Sequence, residues 1–159
     1  MIHALPRAAQ PPLTSVLRAW VRAGIARFAG DEAGPTARAL ANEQSFDDLR
    51  RHIAHAVAAA GASAAEPAAR LLAQARLEPA EQFLVALAGA VEEDHLVVCA
   101  LAELQAPAAG PRPTLHLAET LLAELFDEAW PVPRIAAGNA CARAVLSVLG
   151  DGPDRKSVV

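Results

Sequence analysis

In the stretch "FDDLRRHIAHAVAAA", Asp48, His52 and His55 recur at i, i+4 and i+7, so on a helix they project from one side, opposite Phe46 and Ile53. A carboxylate and two imidazoles are donor types of a metal centre, and the chemistry would be that of a small metal-dependent enzyme. Such a centre holds firm ligands with second-shell support inside a cleft. These three fall on the face that the apolar spacing leaves to water. The expectation is a solvated helix face with no metal and no cofactor.

Nucleophilic catalysis would need a Ser or Cys beside a base. Ser45 and Ser63 occupy cap and turn positions, and Cys99 and Cys141 have apolar neighbours in separate helical segments. The two cysteines form no C-x-x-C pair, which argues against a zinc or redox motif and for two buried thiols in a reduced, cytoplasmic protein. The single lysine is Lys156, so no G-x-x-x-x-G-K-[ST] phosphate loop can be written. No residue set supports catalysis, and the chain reads as not an enzyme.

The elements that must position any site are helical. Across 159 residues the chain is 53% hydrophobic and 20% charged with a formal net charge of -4, which fits one soluble domain with material for a core. Ala is abundant, aromatics are 4% and Tyr is absent, so helix is the default wherever Pro and Gly do not intervene. Every apolar run falls short of the roughly 20 residues of a membrane span. Arg7, Arg18, Arg22 and Arg27 without an acid give residues 1–30 the outline of a transit peptide. Little Ser, with Trp20 and Phe28 at core spacing, favours an ordinary first helix.

Residues 1–12 read as a flexible, Pro-rich tail. Beyond it Leu13, Val16, Leu17, Trp20, Val21, Ile25 and Phe28 mark one helical face, with Arg18 and Arg22 outside it. "GDEAGP" stops that helix. Ser45 caps the next, where Asp47 and Asp48 favour the N-terminal dipole and Phe46, Leu49, Ile53 and Val57 face inward. Another helix opens with either a Ser63 to Glu66 capping box or Pro67 as its first residue. Phe83, Leu84, Leu87 and Val91 line the segment after Pro79. "DHLVVCALAEL" restarts beyond the acidic corner Glu92 to Asp94, which reads as helix punctuation. A last helix is expected over residues 134–149, and residues 150–159 form a tail or a wing strand. The fold class is mostly α: a compact, multi-helix, winged-helix-like domain over residues 13–149, with room for one short C-terminal β-hairpin.

Within that domain lies "GPRPTLHLAETLLAELFDE", residues 110–128, with stiffening prolines, a Thr in cap position and Leu115, Ala118, Leu121, Leu122, Leu125 and Phe126 on one face. A recognition helix is often introduced in this way. From Thr114 onward its charges are Glu119, Glu124, Asp127 and Glu128 with no Arg or Lys, so a DNA groove would set acids against phosphates without counterion release. The outward arc of His116, Glu119, Ala123, Glu124 and Asp127, ending at Trp130, would instead meet a protein partner with a basic surface. Trp130 in "EAWPVPR" reads either as a plug over the core or as an exposed contact. The alternative is a DNA-binding winged-helix regulator that works through the basic side of the first helix, Arg18 and Arg22.

Residues 77–122 carry a further pattern. Glu81 stands near the start of an apolar helix, "VEED" follows it, and Leu104 and Gln105 end the next helix. "RPT" then occupies Arg112 to Thr114, followed by Leu117, Ala118, Leu121 and Leu122, with "GDGP" later in the chain. In this order the chain resembles the N-terminal region of a group of bacterial AAA+ ATPases, including those that accompany phage-tail-like contractile injection systems. It departs from them in lacking the aromatics usual around "LVVCALAELQ", the charges usual before "RPT", and the ATPase core. The resemblance implies a variant winged-helix domain that docks substrate or adaptor proteins for a cytoplasmic ring ATPase. ATPase activity, and any oligomer made through the ATPase core, would belong to that core and not to these residues.

Overall fold

The computed structural model describes residues 10–41, 43–61, 66–106 and 113–126. Seven helices account for most of them: α1 Leu13–Ala29, α2 Pro35–Ala39, α3 Phe46–Ala58, α4 Pro67–Ala75, α5 Pro79–Glu93, α6 His95–Gln105 and α7 Leu115–Phe126. No strand occurs among the described residues, and the fold is compact and all-α, as an Ala-rich chain with few β-branched residues dictates. The expected C-terminal hairpin and the helix over residues 134–149 lie outside the described residues.

α1 is the centre of the arrangement and packs against α2, α3, α4, α5, α6 and α7. Leu13, Val16, Trp20, Val21 and Ile25 are buried, as their spacing predicts, and the small residues Ala23 and Gly24 are buried with them. That widens the buried arc, leaving Leu17 and Phe28 half-buried at its edge. At Gly24 the neighbouring helices come closest: a Cβ there would lie 2.9 Å from the Phe83 ring and 3.1 Å from a Leu125 methyl. Gly24 is a space requirement for α5 and α7.

The chain has two Trp and four Phe, and four of these six residues meet at one junction. Trp20, Phe46, Phe83 and Phe126, from α1, α3, α5 and α7, are in mutual ring contact with centroids 5.1 to 6.1 Å apart. Five of the six pairs are edge-to-face, an arrangement that contributes about 0.5–1.5 kcal/mol per pair beyond area burial. Trp20 Nε1 is buried there without an oxygen or nitrogen partner among the described residues.

Helix starts follow local chemistry. Ser45 Oγ accepts from Asp48 N at 3.1 Å and opens α3. Of the two starts open to α4, the structure takes Pro67 as first residue with Glu66 in the cap position. The Glu66 carboxylate reaches back to accept from Leu13 N at 2.8 Å, so it caps α1, whose own preceding residue is Pro12. Glu78 and Glu81 close a capping box at the start of α5. "GDEAGP" does end α1, at Gly30 with φ 57°, yet the chain continues through a 3-10 turn, Gly30–Glu32, into the short α2. α2 is tied to α6 by the Thr36 hydroxyl, which donates to the Glu103 carboxylate.

Candidate functional site

α7 begins at a hydrogen-bonded joint. Leu117 N donates to Thr114 Oγ1 at 3.2 Å, the cap that the sequence predicts, and Thr114 N donates to Gln105 Oε1 at 2.6 Å. The end of α6 thus holds the start of α7 across nine residues. Leu117, Ala118, Leu121, Leu122, Leu125 and Phe126 are buried, against α1 and α5. Leu117 joins the predicted face because burial on two neighbours needs a wider stripe than one.

The outward side of α7 carries His116, Thr120, Ala123 and Glu124, all exposed, while Glu119 is half-buried at the edge of the packed face. The expected arc is therefore narrower by one acid. Asp127 and Trp130 lie outside the described residues. The Arg50 guanidinium sits 5.1 Å from the Phe126 ring centroid. A cation there suits both the aromatic face and the carbonyl end of α7.

The basic side of α1 is already engaged. Arg18 Nη2 meets Glu93 Oε2 at 2.9 Å and Arg22 Nε meets Asp94 Oδ2 at 2.6 Å. Arg27 pairs with Asp47 at 3.4 Å and lies 5.7 Å from the Phe46 centroid. Each arginine of α1 faces an acid, so this side offers phosphates far less charge than the spacing of Arg18 and Arg22 suggests. The acidic corner is helix punctuation, as read, and a clamp as well: Asp94 Oδ1 accepts from Leu96 N at 3.1 Å to cap α6, while its other oxygen binds Arg22. Burial raises the Asp94 pKa. The hydrogen bond and charge of Arg22, with the amides of Val97 and Leu96, outweigh it and hold the carboxyl below its ordinary value.

The Asp48, His52 and His55 series does not assemble. Asp48 and His55 are exposed and His52 is half-buried. The Ser45 hydroxyl and the paired Arg51 guanidinium hold the Asp48 carboxyl below its ordinary value. Among the described residues no three His, Cys, Asp or Glu side chains form a metal-binding group. An open pocket of about 270 Å³ lies between α1 and α3, lined by Ala23, Ala26, Arg27, Ala41, Phe46 and Asp47 among others. Its charged groups are the Arg27 and Asp47 pair, which neutralise each other.

Cys99 departs from the expected buried thiol. It is half-buried, and its Sγ lies 3.5 Å from His95 Nε2 on the same side of α6. Cysteine-to-cysteine spacing misses this pair. The signal was present as H-x-x-x-C within one helical segment. Cys141 lies outside the described residues.

These features define the class: an all-α domain packed round one central helix, with a surface helix, α7, whose outward side bears carboxylate and imidazole and whose sequence contains no Arg or Lys. No helix among the described residues is long and apolar enough to cross a membrane. Comparison with protein-family models, with curated proteins and with solved structures finds no match to this chain.

Proposed function

We propose that this chain is a non-catalytic protein-interaction domain, similar in role to the N-terminal domain of a AAA+ ATPase, that docks the basic surface of a substrate or adaptor protein in the cytoplasm. The observation that carries this reading is α7, with His116, Ala123 and Glu124 exposed on its outer side, Glu119 at the edge of that side, and no basic residue of its own. Its start is anchored by the Gln105 to Thr114 hydrogen bond, which joins the two motifs on which the AAA+ resemblance rests. Negative charge with no basic residue beside it orients the encounter with a basic partner, and the small Ala123 next to Glu124 allows close approach. The winged-helix topology, and a partner drawn from a phage-tail-like contractile injection system, are parts of the same proposal. The pairing of Arg18 with Glu93 and of Arg22 with Asp94 sets an acid beside each cation that the DNA-binding alternative would use.

The test is a charge reversal, Glu119→Lys with Glu124→Lys and Asp127→Lys, in capture assays from the native host. Wild-type capture should weaken as salt rises, and the triple variant should bind roughly tenfold more weakly or worse, about 1.4 kcal/mol, at an unchanged melting temperature. Capture that ignores the reversal, or a salt-dependent shift of random duplex DNA by the wild type, refutes the proposal.

A further inference from the structure

We propose that His95 and Cys99 are one half of a tetrahedral site for Zn²⁺ or a similarly thiophilic divalent cation, completed by the same pair from a second copy of this chain. The donor geometry carries the inference. Zinc holds a cysteine sulfur at about 2.3 Å and an imidazole nitrogen at about 2.0–2.1 Å, and at the tetrahedral angle those bonds set the two donors about 3.6 Å apart. Cys99 Sγ and His95 Nε2 are 3.5 Å apart. The two donors thus already stand at the separation that a zinc ion would impose.

The helix that presents the pair is held in place before any ion arrives. His95 is the first residue of α6, directly after Asp94, whose two oxygens are fixed by Leu96 N and by Arg22. Both residues are reachable from solvent, His95 exposed and Cys99 half-buried.

The number of ligands points to a second copy. A structural zinc takes four protein donors, and this pair supplies two, with no third ligand beside it among the described residues. A two-fold axis through the ion doubles the set to Cys₂His₂, and contacts across such an axis are self-complementary. The surrounding surface suits that contact. Leu96, 40% exposed, is one of two large hydrophobic residues exposed among the described residues, and it adjoins His95. Ala102 is exposed one turn beyond Cys99, where a small side chain lets a second helix approach. Each thiol would lose its proton to solvent as its zinc–sulfur bond forms, two protons per ion, while each imidazole binds as the neutral base. No electron transfer is involved. Neither His95 nor Cys99 belongs to the α7 arc, so the inference does not rest on the docking role.

The experiment titrates the full chain with Zn²⁺ by calorimetry and sedimentation, and with Co²⁺ by absorption spectroscopy. The expected results are one ion per two chains, a doubling of mass that a chelator reverses, two protons released per ion, and a thiolate-to-cobalt charge-transfer band with tetrahedral d–d absorption. Cys99→Ser and His95→Gln should each abolish the ion-dependent doubling with helical circular dichroism unchanged, and Cys141→Ser should preserve every signal. Binding of one ion per chain without association overturns the proposal. So does absence of binding, a doubling that survives Cys99→Ser, or a doubling lost in Cys141→Ser.

Discussion

Replacing Arg22 by Ala strips the partner from a carboxylate whose side chain is only 4% exposed, whereas that of Arg22 is 30% exposed. Removing one member of a fully buried pair costs about 3–5 kcal/mol, and a surface pair contributes about 0–1. With one partner buried and water able to enter from the Arg22 side, Arg22→Ala should cost about 2 kcal/mol at neutral pH. Asp94→Asn keeps an acceptor for Leu96 N but loses the charge and should cost about 1–2 kcal/mol. Asp94→Ala, which loses the α6 cap as well, should cost about 1 kcal/mol more. The double variant Arg22→Ala with Asp94→Asn should fall short of additivity by at least about 1 kcal/mol, as expected for groups in contact. Urea unfolding measures all four.

The acid limb supplies the sharper check. The Asp94 carboxyl is held below its ordinary value of 3.8, so its stabilisation is complete above that value and is lost as pH falls through the lower, folded one. The gap between wild type and Arg22→Ala should be full at neutral pH and should close as Asp94 takes up its proton. A gap under about 0.5 kcal/mol at neutral pH, or one that persists undiminished in acid, refutes the clamp.

Two further changes probe the frame that carries α7. Gly24→Ala adds a favourable helix residue, worth up to about 1 kcal/mol, but forces the Phe83 ring and Leu125 aside at a cost of about 1–3 kcal/mol. A net loss near 1 kcal/mol and a lower melting temperature are expected, and a raised one would contradict the close approach. Gln105→Ala removes the acceptor for Thr114 N at a cost of about 1 kcal/mol, so the Thr114 amide should exchange roughly fivefold faster under local opening. Equal acceleration in the core of α1, or none at Thr114, would show that the joint does not hold the start of α7.

Ser45 and Thr114 are legible as caps because a hydroxyl acts on an amide two or three residues ahead, inside the window that sequence displays. Pro79 marks the start of α5 likewise, whereas for α4 the sequence leaves a Ser63 start and a Pro67 start open and the structure takes Pro67. The short α2 was not legible, since five residues show no period. Nor was the service of Glu66 to α1, because its partner Leu13 stands 53 residues away. Of the candidate arc on α7, His116, Ala123 and Glu124 are exposed as their spacing implies, whereas Glu119 turns partly inward at the edge of a buried stripe broader than its own helix reveals.

The sequence by itself determined that the described part of this chain is helical, where α3 and α7 are capped, which sides of the helices are apolar, and that the helix after "RPT" carries no positive charge. Those properties depend on neighbours within a few residues, where backbone geometry maps spacing directly onto a face. Only the tertiary structure decided that α1 lies at the centre and that four of six aromatic residues share one junction. It also decided that Arg18 and Arg22 are spent on an acidic corner 75 and 72 residues away. A guanidinium outside an apolar stripe looks the same in sequence whether it faces water, phosphate or a carboxylate. Its partner is chosen by how helices cross, and that depends on side-chain volumes such as the missing Cβ of Gly24, summed over the whole core.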